Sequence, residues 1–138
     1  MSPARRTLVS SGSPFEATIG FSRAVRVGDR VLVSGTAPIA ADGSVDPDPF
    51  AQATRCLAII EEALREAGAG LANVVRTRIF LVDPADAADV SAAHGKAFAD
   101  VRPAATMVVV AALLDPRWRV EIEAEAIVHP SPPSAPLR

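Results

Sequence analysis

The sequence has no tyrosine, one tryptophan, one cysteine and two histidines among 138 residues, and each shortage removes a class of chemistry. Cys56 has no partner for an internal disulfide and gives no basis for a thiolate metal site, which fits a reducing compartment. Aromatics make up 4%, the net charge is −2 with a pI near 5.6, and there is no basic run. Phosphate neutralisation and base stacking therefore lack material, and no nucleic-acid partner is expected. No apolar run approaches the roughly 20 residues that span a bilayer, so no membrane partner is expected either. Met1 to Pro14 has no secretory-type apolar core, only Thr7, Leu8 and Val9 between Arg6 and Ser10. Together with Cys56 this leads to the expectation of a cytoplasmic protein.

What is present is globular: 49% hydrophobic and 22% charged residues. The length suits one domain over residues 1–129, followed by a disordered tail over 130–138 that holds four prolines. Arg23 to Val27 and Arg30 to Ser34 read as strands around a Gly28-Asp29 turn, with a short extra strand near Arg6 to Val9. A loop over Gly35 to Pro49 ends with Asp48 as a helix cap and Pro49 in the first turn. Phe50, Ala53, Leu57, Ile60, Leu64 and Ala67 recur at helical spacing, whereas Gln52, Arg55, Glu62 and Glu66 occupy the other faces, and Gly68 and Gly70 stop the helix. Val74 to Val82 reads as a strand with Val75, Thr77, Ile79 and Leu81 beneath the helices and Arg76 and Arg78 on the opposite face. Ala85 to Ala99 makes a second, weakly amphipathic helix, and Thr106 to Leu113 with Trp118 to Val128 reads as a second hairpin-like unit. The order is that of an α+β fold.

The chemistry-bearing residues are few. Glu121, Glu123 and Glu125 alternate with Val120, Ile122, Ala124 and Ala126, which lines three carboxylates along one face at about 6.6 to 6.8 Å intervals. If that face is partly buried, desolvation and like charge raise at least one pKa, and such a carboxylate can hold a proton or orient water. The alternative is an exposed strand face, its glutamates paired with Arg76, Arg78 or Arg119. His94 is either a base or a structural histidine, and Arg76 and Arg78 suit a groove or a subunit interface as well as a solvated face. Neither Ser34 nor Thr106 belongs to a visible Ser, His, Asp arrangement, and no metal site is expected from two isolated histidines.

The run Arg102-Pro103-Ala104-Ala105-Thr106-Met107, followed by Trp118-Arg119-Val120-Glu121-Ile122-Glu123-Ala124-Glu125-Ala126, resembles the C-terminal signature of the RidA (YjgF) reactive-intermediate deaminase family. The likeness extends to Val33-Ser34-Gly35 and covers about Phe21 to Val128. It implies a chorismate-mutase-like α+β fold, a mixed sheet with two helices on one face, assembled as a homotrimer around a barrel with three intersubunit clefts. It further implies hydrolysis of a small imine or enamine to a ketoacid and ammonia, without cofactor or metal. The family's water-positioning glutamate falls on Glu121. The arginine that grips the substrate carboxylate falls on Ala105, the tyrosine near the first strand on Phe21 and a second tyrosine on His94. Loss of the arginine removes a charge-assisted contact worth on the order of 1.5 to 3 kcal/mol.

The expectation is therefore a RidA-type protein that adds water to a reactive imine-like metabolite, with altered specificity and Glu121 as the catalytic residue. Phe21, Ala105, Thr106, Met107 and His94 are the candidate substrate-binding residues, with Arg102, Arg76 or Arg78 as a replacement anchor. The alternative is a non-catalytic trimer that binds or senses a small hydrophobic ligand beside Phe21, Ala105 and Met107.

Overall fold

The computed structural model describes residues 5–128, and the expected proline-rich tail lies outside them. The strands are β1 (Arg6–Val9), β2 (Ala24–Val27), β3 (Arg30–Thr36), β4 (Val74–Leu81), β5 (Ala104–Val109) and β6 (Val120–Ile127). Two α-helices, α1 (Pro49–Glu66) and α2 (Ala87–Phe98), follow β3 and β4 respectively. The strands form one mixed sheet in the order β1-β2-β3-β6-β4-β5, in which only β4 and β5 run parallel. An α+β fold with a mixed sheet results. No helix among the described residues is long and apolar enough to cross a membrane.

Local chemistry sets the elements as the sequence suggests at several points. Gly28 takes φ 60° in the turn between β2 and β3, a conformation that costs glycine little. Asp48 caps α1 by accepting from Ala51 N at 2.8 Å. Gly68, at φ +82°, ends the helix, and Arg26 Nη1 donates to the Ala67 carbonyl at 2.7 Å. The apolar side of α1, centred on Ala53, Cys56, Ile60 and Leu64, lies against Val31, Val33, Ile79, Ile122 and Ala124.

The second hairpin does not form. β5 pairs instead with β4 in parallel, with α2 as the connection, and β6 enters antiparallel between β3 and β4. The reason lies in β6 itself: Val120, Ile122, Ala124 and Ala126 are all buried, and a position with a strand on each side covers that whole apolar row. The upper end of β4 also departs from simple alternation. A register shift between Val74 and Arg76 buries Val74 and leaves Val75 38% exposed, so Val75 is not under the helices.

Gln52 corrects the expected solvent face of α1, because it is fully buried. Its Nε2 donates to the Asp46 carbonyl at 2.8 Å and the Arg117 carbonyl at 2.9 Å, and its Oε1 accepts from Arg119 N at 2.7 Å. One amide thus satisfies three backbone groups and fixes the entrance of β6 to α1. Arg119 completes this junction with a two-pronged contact to Asp86, Nε to Oδ2 at 2.8 Å and Nη2 to Oδ1 at 2.9 Å. Gln52→Leu keeps the volume but orphans those groups, at about 1–3 kcal/mol for each one left dry. A clear fall in the urea midpoint is expected, larger than that for Glu62→Leu on the exposed side of the same helix.

Candidate functional site

Strand alternation divides the core side of the sheet from its open side. The open side of β6 carries Glu121, Glu123 and Glu125, each partly exposed. Arg78 Nη1 lies 3.1 Å from Glu123 Oε1 and 3.2 Å from Glu125 Oε1, and Arg30 Nη2 lies 3.7 Å from Glu125 Oε2. Two of the three carboxylates are therefore paired. Among the described residues Glu121 has no ion-pair or hydrogen-bond partner, and it stands opposite Phe80 of β4.

Burial pushes the Glu121 carboxyl above the ordinary 4.5, the Arg23 guanidinium opposes the rise, and Glu123 adds to it. Gly35 gives the carboxylate its space: a Cβ at position 35 would collide with Glu121 Oε2. Gly35 sits where the β3–β6 register shifts, between Val33 and Thr36. A glycine inside a strand often marks such a close approach, and Gly35 lies within β3 rather than at the start of the expected loop.

A second cluster lies at the sheet edge, where α2 faces β5. A cavity of about 210 Å³ is lined by Ile79, Ser91, His94, Ala105, Thr106 and Met107 together with Gly95. The parallel register places Ala105 beside Thr77 and Met107 beside Ile79, on the helix side, whereas Thr106 pairs with Arg78. His94 Nε2 lies 2.8 Å from Thr77 Oγ1, and its ring is 4.7 Å from that of Phe98. Burial lowers the His94 pKa from 6.5, so the imidazole is neutral at pH 7. The cavity lining contains no cation.

The structure thus brings His94, Ala105, Thr106 and Met107 together, and it does not bring Glu121 to them within one chain. Glu121 occupies the other face, with β4 between its strand and β5. Phe21, 38% exposed, follows a short helical turn over Glu16–Gly20 and does not line the cavity. Arg76 is on the open face, paired in register with Glu125 and Ala104. Arg102 is exposed at φ 54° after α2, its N–H bonded to the Phe98 carbonyl at 2.8 Å. No three His, Cys, Asp or Glu side chains converge as a metal site among the described residues. Cys56 is buried, and burial raises its thiol to about 12, which leaves it un-ionised.

The family model described as Endoribonuclease L-PSP matches residues 11–128. An uncharacterized protein of Streptomyces coelicolor is 41% identical over 119 residues, spanning 86% of this chain and 89% of that protein. A RutC family protein of Sinorhizobium fredii is 36% identical over 107 residues, spanning 75% of this chain and 83% of its own length. The crystal structure of a Mycobacterium tuberculosis member of the YjgF/YER057c/UK114 family superposes with a TM-score of 0.83 at 48% identity, over 90% of this chain and 100% of that one. The Escherichia coli YjgF structure gives 0.76 at 28% identity, over 88% and 94% of the two chains.

The contact between Gly35 and Glu121 has a direct consequence. The colliding atom is the end of a side chain and Gly35 has no positive φ, so Gly35→Ala is expected to displace the carboxylate toward solvent and leave the fold intact. A carboxyl-carbon NMR titration should place Glu121 above 4.5 in the native protein and closer to that value in the variant. Identical titration curves would show that the carboxylate is not confined by this glycine.

Proposed function

Because the chain belongs to the endoribonuclease L-PSP family, the family of the YjgF and RutC proteins, we propose that it adds water to a small reactive imine or enamine in a cleft between subunits of a homotrimer. The observation that carries the reading is Glu121, half-buried and, among the described residues, without a partner beside Arg-paired Glu123 and Glu125. Its raised pKa means the folded state favours the protonated form, so Glu121 adds stability at low pH and loses it as pH rises through the folded value. An ionised Glu121 is thus a cost to the fold at neutral pH, and catalysis is the role that cost supports. The carboxylate accepts a proton from water as the oxygen attacks the imine carbon, and the resulting carbinolamine collapses to a carbonyl compound and ammonia.

The trimer is supported by two features. Leu8, Leu32 and Val108 are exposed on the open sheet face, an apolar area suited to burial against other copies. A neighbouring subunit is also what would bring a Glu121 face to the β5 edge, since one chain holds them on opposite sides. The specificity is altered relative to an arginine-bearing site. Ala105, Met107 and Ile79 with a neutral His94 form a cavity that favours the uncharged part of an imine over a carboxylate. Arg102 and Arg76 lie off that cavity, and either becomes an anchor only if a second chain meets it. The apolar lining equally favours a second reading, a trimer that binds a small ligand without turning it over. An RNA substrate fits less well, because Arg30 and Arg78 are engaged by glutamates rather than presented to phosphates.

The test is ammonia release from enzymatically generated 2-iminopropanoate and 2-iminobutanoate and from an imine without a carboxylate. Native protein should prefer the last. Ala105→Arg should gain roughly tenfold to a hundredfold on the imino acids, matching a contact of about 1.5 to 3 kcal/mol. Glu121→Gln should lose turnover on all three while melting no lower than the native protein at pH 7. Undiminished turnover in Glu121→Gln would remove the proposed role, and silence from native protein and Ala105→Arg alike would favour ligand binding.

A further inference from the structure

Arg23, at the entrance of β2, is partly buried. One of its nitrogens, Nη2, donates to the Ser34 carbonyl at 2.6 Å, the Gly35 carbonyl at 3.0 Å and Thr36 Oγ1 at 2.8 Å. These three acceptors span the register shift of β3. The Thr36 hydroxyl donates in turn to the Ser34 carbonyl at 2.8 Å, and Ser34 Oγ donates to the Ser22 carbonyl at 2.6 Å. Arg23 Nε is buried with no hydrogen-bond partner, and no carboxylate among the described residues forms an ion pair with this guanidinium. Burying a cation in that state is expensive. A neutral donor could tie the same carbonyls at lower cost, so the positive charge calls for a role of its own.

We propose that Arg23 is a positioning residue for Glu121, holding the Ser34–Thr36 irregularity so that Gly35 leaves room for the carboxylate. This rests on the reading of Glu121 as the group that handles water. The surroundings of Glu121 leave Arg23 as the cation acting on it. Phe80 faces it from β4 and Gly35 from β3, Glu123 is its like-charged neighbour on β6, and Cys56 on α1 is un-ionised. Arg78 and Arg30, over the open face, are paired with Glu123 and Glu125, and Arg76 stands in register with Glu125, whereas Arg23 reaches Gly35 from a groove it lines with Arg55, Glu62 and Glu66 of α1. Among the charges acting on Glu121, Arg23 opposes the effect of burial, and Glu16 is the other carboxylate acting on Arg23.

The experiment is a carboxyl-carbon NMR titration of Glu121 in native protein, Arg23→Lys and Arg23→Gln, alongside the pH profile of kcat on the imine turned over best. In Arg23→Gln the Glu121 titration and the acid limb of the profile should both move to higher pH, and kcat at neutral pH should fall about tenfold or more with KM little changed. Arg23→Lys keeps a charge and three donors on one nitrogen but is a bond shorter and lacks the planar fork, so it should fall between the two. A folded Arg23→Gln with an unmoved Glu121 titration overturns the proposal and makes Arg23 a purely structural tie. If Arg23→Gln does not fold, Arg23→Lys decides alone, and an unmoved titration there overturns it equally. The titration needs no turnover, so it stands apart from the outcome for Glu121→Gln: either idea can fail without the other.

Discussion

Everything in this fold depends on where β6 is seated. As the last strand it has to enter between β3 and β4, and the Gln52 amide is what receives it, with three backbone partners at the strand's entrance. Arg119 and Asp86 add a second grip at the start of α2, although the arginine is 41% exposed, which limits its energetic weight. The geometric weight is greater. A shift of one residue would turn Ile122 and Ala124 outward and the glutamates into the core, so the junction that sets the register also sets which side of the sheet is chemical.

From that register follows a sheet with two unlike faces. The helix side holds the core and, at its β5 edge, a small cavity with a neutral histidine. The open side holds carboxylates, arginines and exposed aliphatic residues. Along β6 the charges are not equivalent: Glu123 and Glu125 sit within reach of Arg78, whereas Glu121 stands opposite Phe80 and against Gly35. The difference comes from β4, where arginines alternate with buried residues until Phe80 interrupts them.

Sequence patterning reveals much of this and misses identifiable parts. The first hairpin, the α1 cap and its apolar stripe, the glutamate row and the extra strand at Arg6–Val9 are local features, and periodicity or turn chemistry carries them. The partner of β5 is not local. Two β-rich runs separated by a turn-rich segment look like a hairpin, and only competition for the place between β3 and β4 decides otherwise. Gln52 and Arg23 are hidden for a different reason: a polar residue on an amphipathic pattern reads as solvent-facing, and its burial depends on backbone acceptors from elements distant in sequence. The resemblance singles out Glu121 within the glutamate row and adds Ala105, but the separation of Glu121 from Ala105 and His94 onto two faces appears only in three dimensions.

That separation also sets how much of the fold each position engages. Ala105 lies exposed on an edge strand, bordered by a cavity on the helix side. A substitution there alters what the cavity holds and disturbs little of the packing. Glu121 is on the central strand, against a glycine whose backbone is tied to Arg23 and whose neighbour Thr36 is fully buried. Position 121 is therefore bound up with the register of the sheet, and position 105 is not. A substitution at position 105 is therefore easier for this fold to absorb than one at position 121.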